Sequence, residues 1–241
     1  MSYKLSAMSH SLFPRLLPVG DAAVTVEFGA AIDPATNDHV LAFTQAVDEL
    51  IRNDCLGIIE VVPTFRSATV YFDPLTAEAE TLAERLSALA EALPSRQAGP
   101  SKTVEVPVVY GEEFGPDLAD VAAYARLPVE EVIRLHTSVA YRCYMLGFSP
   151  GFPYLGLVPE VIALPRLAEP RVSVPPGSVG IAGSQTGLYP LESPGGWRLI
   201  GRTPLRLYDP NRAQPFLIEA GDTVRFVAIN RNEYEKLMAS G

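Results

Sequence analysis

Apolar and polar residues alternate through 23–28, where Val24, Val26 and Phe28 interleave with Ala23, Thr25 and Glu27, the period-two pattern of a half-buried strand. Asp33-Pro34 then provides a start signal for a helix over about 35–51, with Val40, Phe43, Val47 and Leu50 at helical spacing. Strands are predicted at 58–62, after Gly57, and at 67–72, closed by Asp73-Pro74. A second helix over about 78–93 carries Leu82, Leu86, Leu89 and Leu93 on one face. The order β-α-β-β-α resembles a small ferredoxin-like α+β domain whose last strand is absent or supplied later. Residues 1–12 are expected to be frayed.

Turn-forming and polar residues over 94–100 break the helical pattern, so the first domain is taken as 1–98 and the second as 99–241. The second opens with a strand over 104–110. Asp117 is placed as the cap of a helix reaching Tyr124, and Pro128 opens another. On that helix Val129, Val132, Ile133 and His136 fall at i, i+3, i+4 and i+7, so His136 points with the apolar face. The period then changes to two through 139–146. Short strands are predicted at 178–182, 187–191, 197–200, 205–208 and 223–229, the pattern of a β-rich barrel or sandwich.

Between these lies an unusual stretch, running from YRCYMLGFSPGFPYLG at Tyr141 to SPGGWRLIGRTPLR at Arg206. Its 60 residues from Gly147 onward hold 10 of the 18 glycines and 10 of the 22 prolines. That density excludes helix, because proline lacks the amide donor and glycine loses the most backbone entropy. Phe148, Phe152, Tyr154, Tyr189 and Trp197 run through it, whereas a disordered linker is poor in such residues. Two readings stand: a built site shaped by turns and held by aromatic packing, or a turn-rich β domain.

A length of 241 residues suffices for stability without disulfide or metal, and the two cysteines, Cys55 and Cys143, fit a reducing, cytoplasmic setting. Neither a signal peptide nor a run of about 20 apolar residues is visible, so no membrane association is expected. A formal charge of −9 argues against nucleic acid as partner. The charge is uneven, however. From Gly147 to Arg206 five arginines (Arg166, Arg171, Arg198, Arg202, Arg206) face three glutamates, so this segment is basic within an acidic chain. A guanidinium fork suits carboxylate or phosphate, and a charge-assisted bond from Arg166, Arg171 or Arg202 would contribute about 1.5–3 kcal/mol to holding a small anionic substrate.

Several chemistries are excluded by the residues themselves. Gly147-Phe148-Ser149-Pro150-Gly151 matches the G-x-S-x-G form of a serine nucleophile elbow, but Pro150 has no amide for the oxyanion and forbids the helix that must follow. Gly177, Gly180, Gly183 and Gly187 lack the lysine of a phosphate loop and the helix of a dinucleotide fingerprint. No histidine cluster has metal-ligand spacing; His10 and His39 stand in unrelated contexts. His136 is either a satisfied core histidine or a neutral imidazole that bonds a ligand or shuttles a proton. Trp197 is either a stacking wall or core packing.

The run from His136 and Tyr141 through MLGFSPGFPYLG, Pro165-Arg166, Pro170-Arg171, VPPGSVGIAGSQTGLYP and SPGGWRLIGRTPLRLYDP resembles the family of 5-oxoprolinase B subunits. That family is also described as allophanate hydrolase subunit 1 and as Kip-type inhibitors of a sporulation histidine kinase. The likeness covers nearly the whole chain from about Leu12. It implies a cyclophilin-like barrel behind the small α/β domain, and as partners the homologous C and the further A subunits of 5-oxoprolinase. The implied reaction is ATP-dependent opening of 5-oxoproline to glutamate. ATP would be a co-substrate, bound by this chain or by a partner. On this basis His136 and Arg202 are expected to contact substrate or phosphate. Tyr141, Gly151, Phe152, Arg166, Arg171, Gln185, Gly196 and Trp197 are expected to bind substrate. The alternatives are a histidine-kinase inhibitor, the carboxyltransferase half of a biotin-dependent urea system, and a prolyl isomerase by fold analogy alone.

Overall fold

A computed structural model describes residues 13–53, 57–93 and 102–240, and the chain divides into two compact units, Met1–Gly99 and Pro100–Gly241. The expected fraying of 1–12, the linker at 94–100, His10 and Cys55 lie outside the described residues.

In the first unit β1 (Arg15–Pro18) and β2 (Ala23–Glu27) precede helix α1 (Pro34–Arg52). Strands β3 (Ile58–Pro63) and β4 (Ser67–Phe72) and helix α2 (Ala79–Ala92) follow. The strands form one antiparallel sheet in the order β1-β2-β4-β3. The fourth strand, expected to be absent or to come later, comes first instead, as β1 beside β2, because RLLP pairs its four residues with Val24 to Glu27. Asp33 caps α1 by accepting from the Thr36 amide at 2.9 Å and the Thr36 hydroxyl at 2.6 Å, bonds that hold its carboxyl below the usual range. Val40, Phe43 and Val47 of α1 and Leu82 and Leu86 of α2 pack with Val26 and Val70 of the sheet in one core. Truncating a side chain such as Phe43, which has no exposure, costs about 3–5 kcal/mol. Glu27 is buried but clamped by Arg15 and Arg66, and the Arg15 hydrogen bond foremost lowers its pKa.

The second unit begins with β5 (Thr103–Tyr110), α3 (Leu118–Ala125) and α4 (Val129–Thr137). Strands β6 (Ala140–Leu146) and β7 (Pro153–Gly156), a 3₁₀ turn (Glu160–Ile162) and strand β8 (Arg171–Val174) come next. They are followed by β9 (Ser178–Ala182), β10 (Gln185–Leu188), β11 (Ser193–Gly195), β12 (Arg198–Arg202), β13 (Thr223–Ala228) and helix α5 (Arg231–Ser240). Seven strands close a barrel in the order β10-β7-β6-β13-β5-β12-β9, with β13 parallel to β5 over six residue pairs. Closure removes free sheet edges. Strands β8 and β11 form a separate two-stranded ribbon.

Three local expectations are corrected. The strand placed at 187–191 lies earlier, at Gln185–Leu188, since Pro190 cannot donate to a ladder. The stretch at 205–208 contributes only the single bridge of Tyr208 to Phe216. Asp117 occupies the cap position of α3 without capping it. Its carboxylate instead accepts from the Arg171 guanidinium at 2.7 Å and the Leu199 amide at 2.6 Å. No helix among the described residues is long and apolar enough to cross a membrane.

Candidate functional site

The loop between β6 and β7 carries the GFSPG sequence. Here Ser149 N–H donates to the Gly147 carbonyl at 2.7 Å and Phe152 N–H to the Ser149 carbonyl at 3.0 Å. The turn leads into β7, a strand, so the helix that a nucleophile elbow requires is missing. A shallow hollow of ≈ 360 Å³ is lined by Leu146 to Gly151 together with Phe216. Ser149 Oγ is out of solvent and has no hydrogen-bond partner among the described residues.

Beside this loop five aromatic rings form a wall. Phe152 is its hub, edge-on to Tyr189 at 5.1 Å and to Trp197 at 5.3 Å, and tilted against Tyr154 at 5.0 Å. Phe148 meets Phe152 edge-on at 5.5 Å yet is 62% exposed, and its φ of 62° lies in a region that bulky residues rarely occupy. Register explains how the rings meet: β10 pairs Gly187 with Tyr154 on one side and with Gly180 of β9 on the other. A Cβ on Gly187 would lie 2.9 Å from the Pro153 carbonyl and 3.0 Å from both Phe152 and Trp197, so only glycine lets the rings close over it.

Tyr154 and Tyr189 add polar edges to the wall. Burial raises the pKa of both, and at Tyr189 it outweighs the opposing hydrogen bond with the Trp197 backbone. Both remain protonated at neutral pH and can donate. Arg171 reaches the Trp197 carbonyl at 3.4 Å while anchored on Asp117.

His136 is fully buried, and its bonds fix its tautomer. The Thr186 hydroxyl donates to the Gly180 carbonyl at 3.0 Å, so it accepts from His136 Nε2–H at 3.0 Å. Nδ1 is then the acceptor for the Tyr110 hydroxyl at 2.9 Å. Burial drops the imidazole pKa to about 3, so it is neutral at physiological pH with both nitrogens engaged. Tyr141 is equally buried and donates its hydroxyl to the His136 carbonyl at 2.9 Å. Within the wall Phe152 and Tyr189 are buried, so the rings it presents are exposed Phe148 and the half-buried Tyr154 and Trp197, with Arg171 bonded to the Trp197 backbone. His136 and Tyr141 belong to the barrel interior.

Gly151 is buried, and a Cβ there would lie 3.2 Å from both Tyr208 and Phe216. Gly196 accepts from the Leu167 amide at 2.7 Å, and Gln185 opens β10 half-buried. Of the five arginines in the basic segment, Arg171, Arg198 and Arg206 are paired with Asp117, Asp120 and Asp209 at 2.7, 3.1 and 3.2 Å. Arg166 is exposed. Arg202 is half-buried and stacks 5.5 Å from the centre of the Phe114 ring, a setting apart from the aromatic wall. Phe148, Tyr154 and Tyr189 were not among the expected site residues. Their one signal in the sequence was the density of aromatics among the glycines and prolines.

The family model of the carboxyltransferase domain, subdomain C and D, matches residues 14–218. The B subunit of 5-oxoprolinase from Bacillus subtilis (strain 168) is 44% identical over 230 residues, covering 90% of this chain and 93% of that protein. The chain belongs to the family of 5-oxoprolinase B subunits. A second member, from Haemophilus influenzae, is 48% identical over 213 residues, covering 88% of this chain and 96% of that one. The solved structure of TTHA0988 superposes with a TM-score of 0.75 at 38% identity. It covers 86% of this chain, which spans only 40% of that one. The closed barrel of the second unit thus agrees with a carboxyltransferase-type fold. Among the described residues no group of His, Cys, Asp and Glu could hold a metal ion.

Proposed function

We propose that this chain is the B subunit of an ATP-dependent 5-oxoprolinase. It would act in the cytoplasm with the homologous C and the further A subunits to activate 5-oxoproline and open it to L-glutamate. The observation that carries this reading is the 44% identity to a 5-oxoprolinase B subunit over nine-tenths of both chains. In it the first domain, 1–98, is a ferredoxin-like scaffold and the second, 99–241, a cyclophilin-like barrel that bears the site.

The flat lactam ring suits an aromatic wall. Half-buried Trp197 and exposed Phe148 would stack against it, backed by buried Phe152 and Tyr189. Tyr154 would donate to its amide oxygen, and Gly151, Gln185 and Gly196 would shape the surroundings. Arg171, its charge offset by Asp117, would hold the wall in place through its bond to the Trp197 carbonyl. His136 and Tyr141 would position the barrel rather than touch substrate, and exposed Arg166 would steer anions inward.

The chain's own residues do not fit a triphosphate. No lysine lies between Lys102 and Lys236, and most arginines of the basic segment are neutralised by an acid. ATP is therefore assigned to the assembly, and no phosphoryl step is derived from this chain.

The test is reconstitution. Co-expressed with its A and C partners, the chain should support ATP-dependent loss of 5-oxoproline, and omission of it should abolish that loss. A complete, folded set without such activity would refute the reading.

A further inference from the structure

Arg202 sits where the other half-buried arginines of its segment find a carboxylate and it does not. Arg171 and Arg198 donate to Asp117 and Asp120. Arg202 Nε is out of solvent with no acceptor among the described residues. Glu113, bound to Arg231, is near enough to interact with its charge, but no acid there stands within ion-pair distance of the Arg202 guanidinium. A buried charged donor left unmatched is disfavoured, and native structures rarely keep one without a use.

The side chain is also held in place. Arg202 pairs with Val109 on β5 and with Ser178 on β9, so its backbone is fixed on both sides in the barrel wall. Gly177 crosses its stem at φ 80°: a Cβ there would lie 2.4 Å from the Thr203 carbonyl and 3.3 Å from Arg202 Cγ. The Phe114 ring backs the guanidinium at 5.5 Å and takes the Arg231 guanidinium at 5.2 Å. A planar fork backed by an aromatic face is already arranged for a planar anion.

Local charge selects which anion. Arg231 is bound to both Glu112 and Glu113, so the neighbourhood holds two arginines and two carboxylates and is close to neutral. A polyphosphate would meet both glutamates, whereas a single carboxylate needs only the one unmatched fork.

We propose that Arg202 anchors a site for one small carboxylate, separate from the aromatic wall. Which carboxylate, but not the site itself, rests on the 5-oxoprolinase reading: the lactam substrate and the ring-opened product both carry the group.

Calorimetric titration of the full chain tests this with 5-oxoproline, L-glutamate, acetate, the neutral carboxamide of 5-oxoproline, inorganic phosphate and ATP. At least one carboxylate should bind while the carboxamide and the phosphates do not. Arg202→Gln should weaken that binding about 10- to 100-fold, the loss of one charge-assisted bond. Arg202→Lys, which keeps charge but not the fork, should fall between and serves if the glutamine variant fails to fold. Binding of 5-oxoproline but not glutamate points to the substrate, and the reverse to the product; either supports the site. Acetate alone binding through Arg202 supports the site while counting against the enzymatic reading. No carboxylate bound by the wild type, equal affinity in a folded variant, or phosphate binding through Arg202 would overturn the proposal. In the reconstituted complex, normal turnover with an unchanged 5-oxoproline KM and unchanged glutamate inhibition in Arg202→Gln would overturn the site and leave the enzymatic reading standing.

Discussion

Replacing His136 with phenylalanine keeps a ring of similar size against Phe226 and Tyr141, whose centroids lie 4.5 and 5.4 Å from the imidazole. It removes the acceptor for the Tyr110 hydroxyl and the donor to Thr186, while Thr186 keeps its bond to the Gly180 carbonyl. One buried donor is then left without a partner, which costs about 1–3 kcal/mol at pH 8. Acid reverses the comparison. Burial holds the imidazole pKa at about 3 against an ordinary value of 6.5, so the folded form stays neutral where the unfolded chain takes up a proton. The folded-state pKa is the lower one, so the wild type has full stability above pH 6.5 and loses it as pH falls towards 3. At pH 4.5 that loss is about 2.7 kcal/mol, from 1.36 kcal/mol per unit over two units, and the phenylalanine variant escapes it. Urea unfolding followed by Trp197, the chain's single tryptophan, reads the barrel unit directly. The variant should be less stable at pH 8 and equal or more stable at pH 4.5. Carboxylates titrate alike in both proteins and cancel in the difference. Parallel pH profiles would show that His136 is not a neutral, buried imidazole, and the barrel-interior assignment would fall with them.

Gly187→Ala should lower stability by about 1–3 kcal/mol and shift Trp197 emission, because its Cβ must displace Phe152 or Trp197; an unchanged spectrum would contradict the close approach. Asp117→Ala should cost about 2–4 kcal/mol by stranding the Leu199 amide and the Arg171 guanidinium, with the Arg171 part reduced by its partial exposure. Thermal melts of the Ala variant against Asp117→Asn, which keeps an acceptor for the amide, separate the two contributions.

Local patterns carried the first unit well. The strand at 67–72 was visible because its two faces differ in burial, and the helix start at Asp33-Pro34 because the cap acts within three residues. The strand RLLP was not visible: four residues ending in proline show no alternation, and only pairing with β2 defines them. Strands β8 and β11, RVSV and SPG, were missed because four and three residues are too short for a pattern to stand out, and only their pairing with each other defines them. At the site, helical spacing did show that His136 faces inward. Its partners Tyr110 and Thr186 lie 26 and 50 residues away, so no local pattern could decide between satisfied core residue and ligand. Asp117 looked like a helix cap because nothing near it signals Arg171 or Leu199, 54 and 82 positions on. Phe152 and Trp197 were legible as aromatics in a turn-rich segment. Tyr154 joined them only through the pairing of β7 with β10, which is a property of the closed barrel.

Phe148 bears on why the wall should be half of a site. Its backbone lies at φ 62°, which costs an L-residue about 1–2 kcal/mol, and its ring is 62% exposed, so little apolar burial offsets that strain within this chain. Glycine at this position would relieve the strain, yet the chain carries a large apolar ring. The return on that arrangement comes when something covers the ring. Covering the rest of a phenylalanine side chain would recover on the order of 1–2 kcal/mol, enough to balance the backbone. A flat ligand alone could meet one face. For one member of a multi-subunit enzyme the expected covering surface is a partner protein. Under that reading, Phe148→Gly should therefore stabilise the isolated chain or leave it unchanged while weakening its assembly with the partner proteins. Equal assembly by the variant, measured by co-purification, would separate the strained loop from the interface.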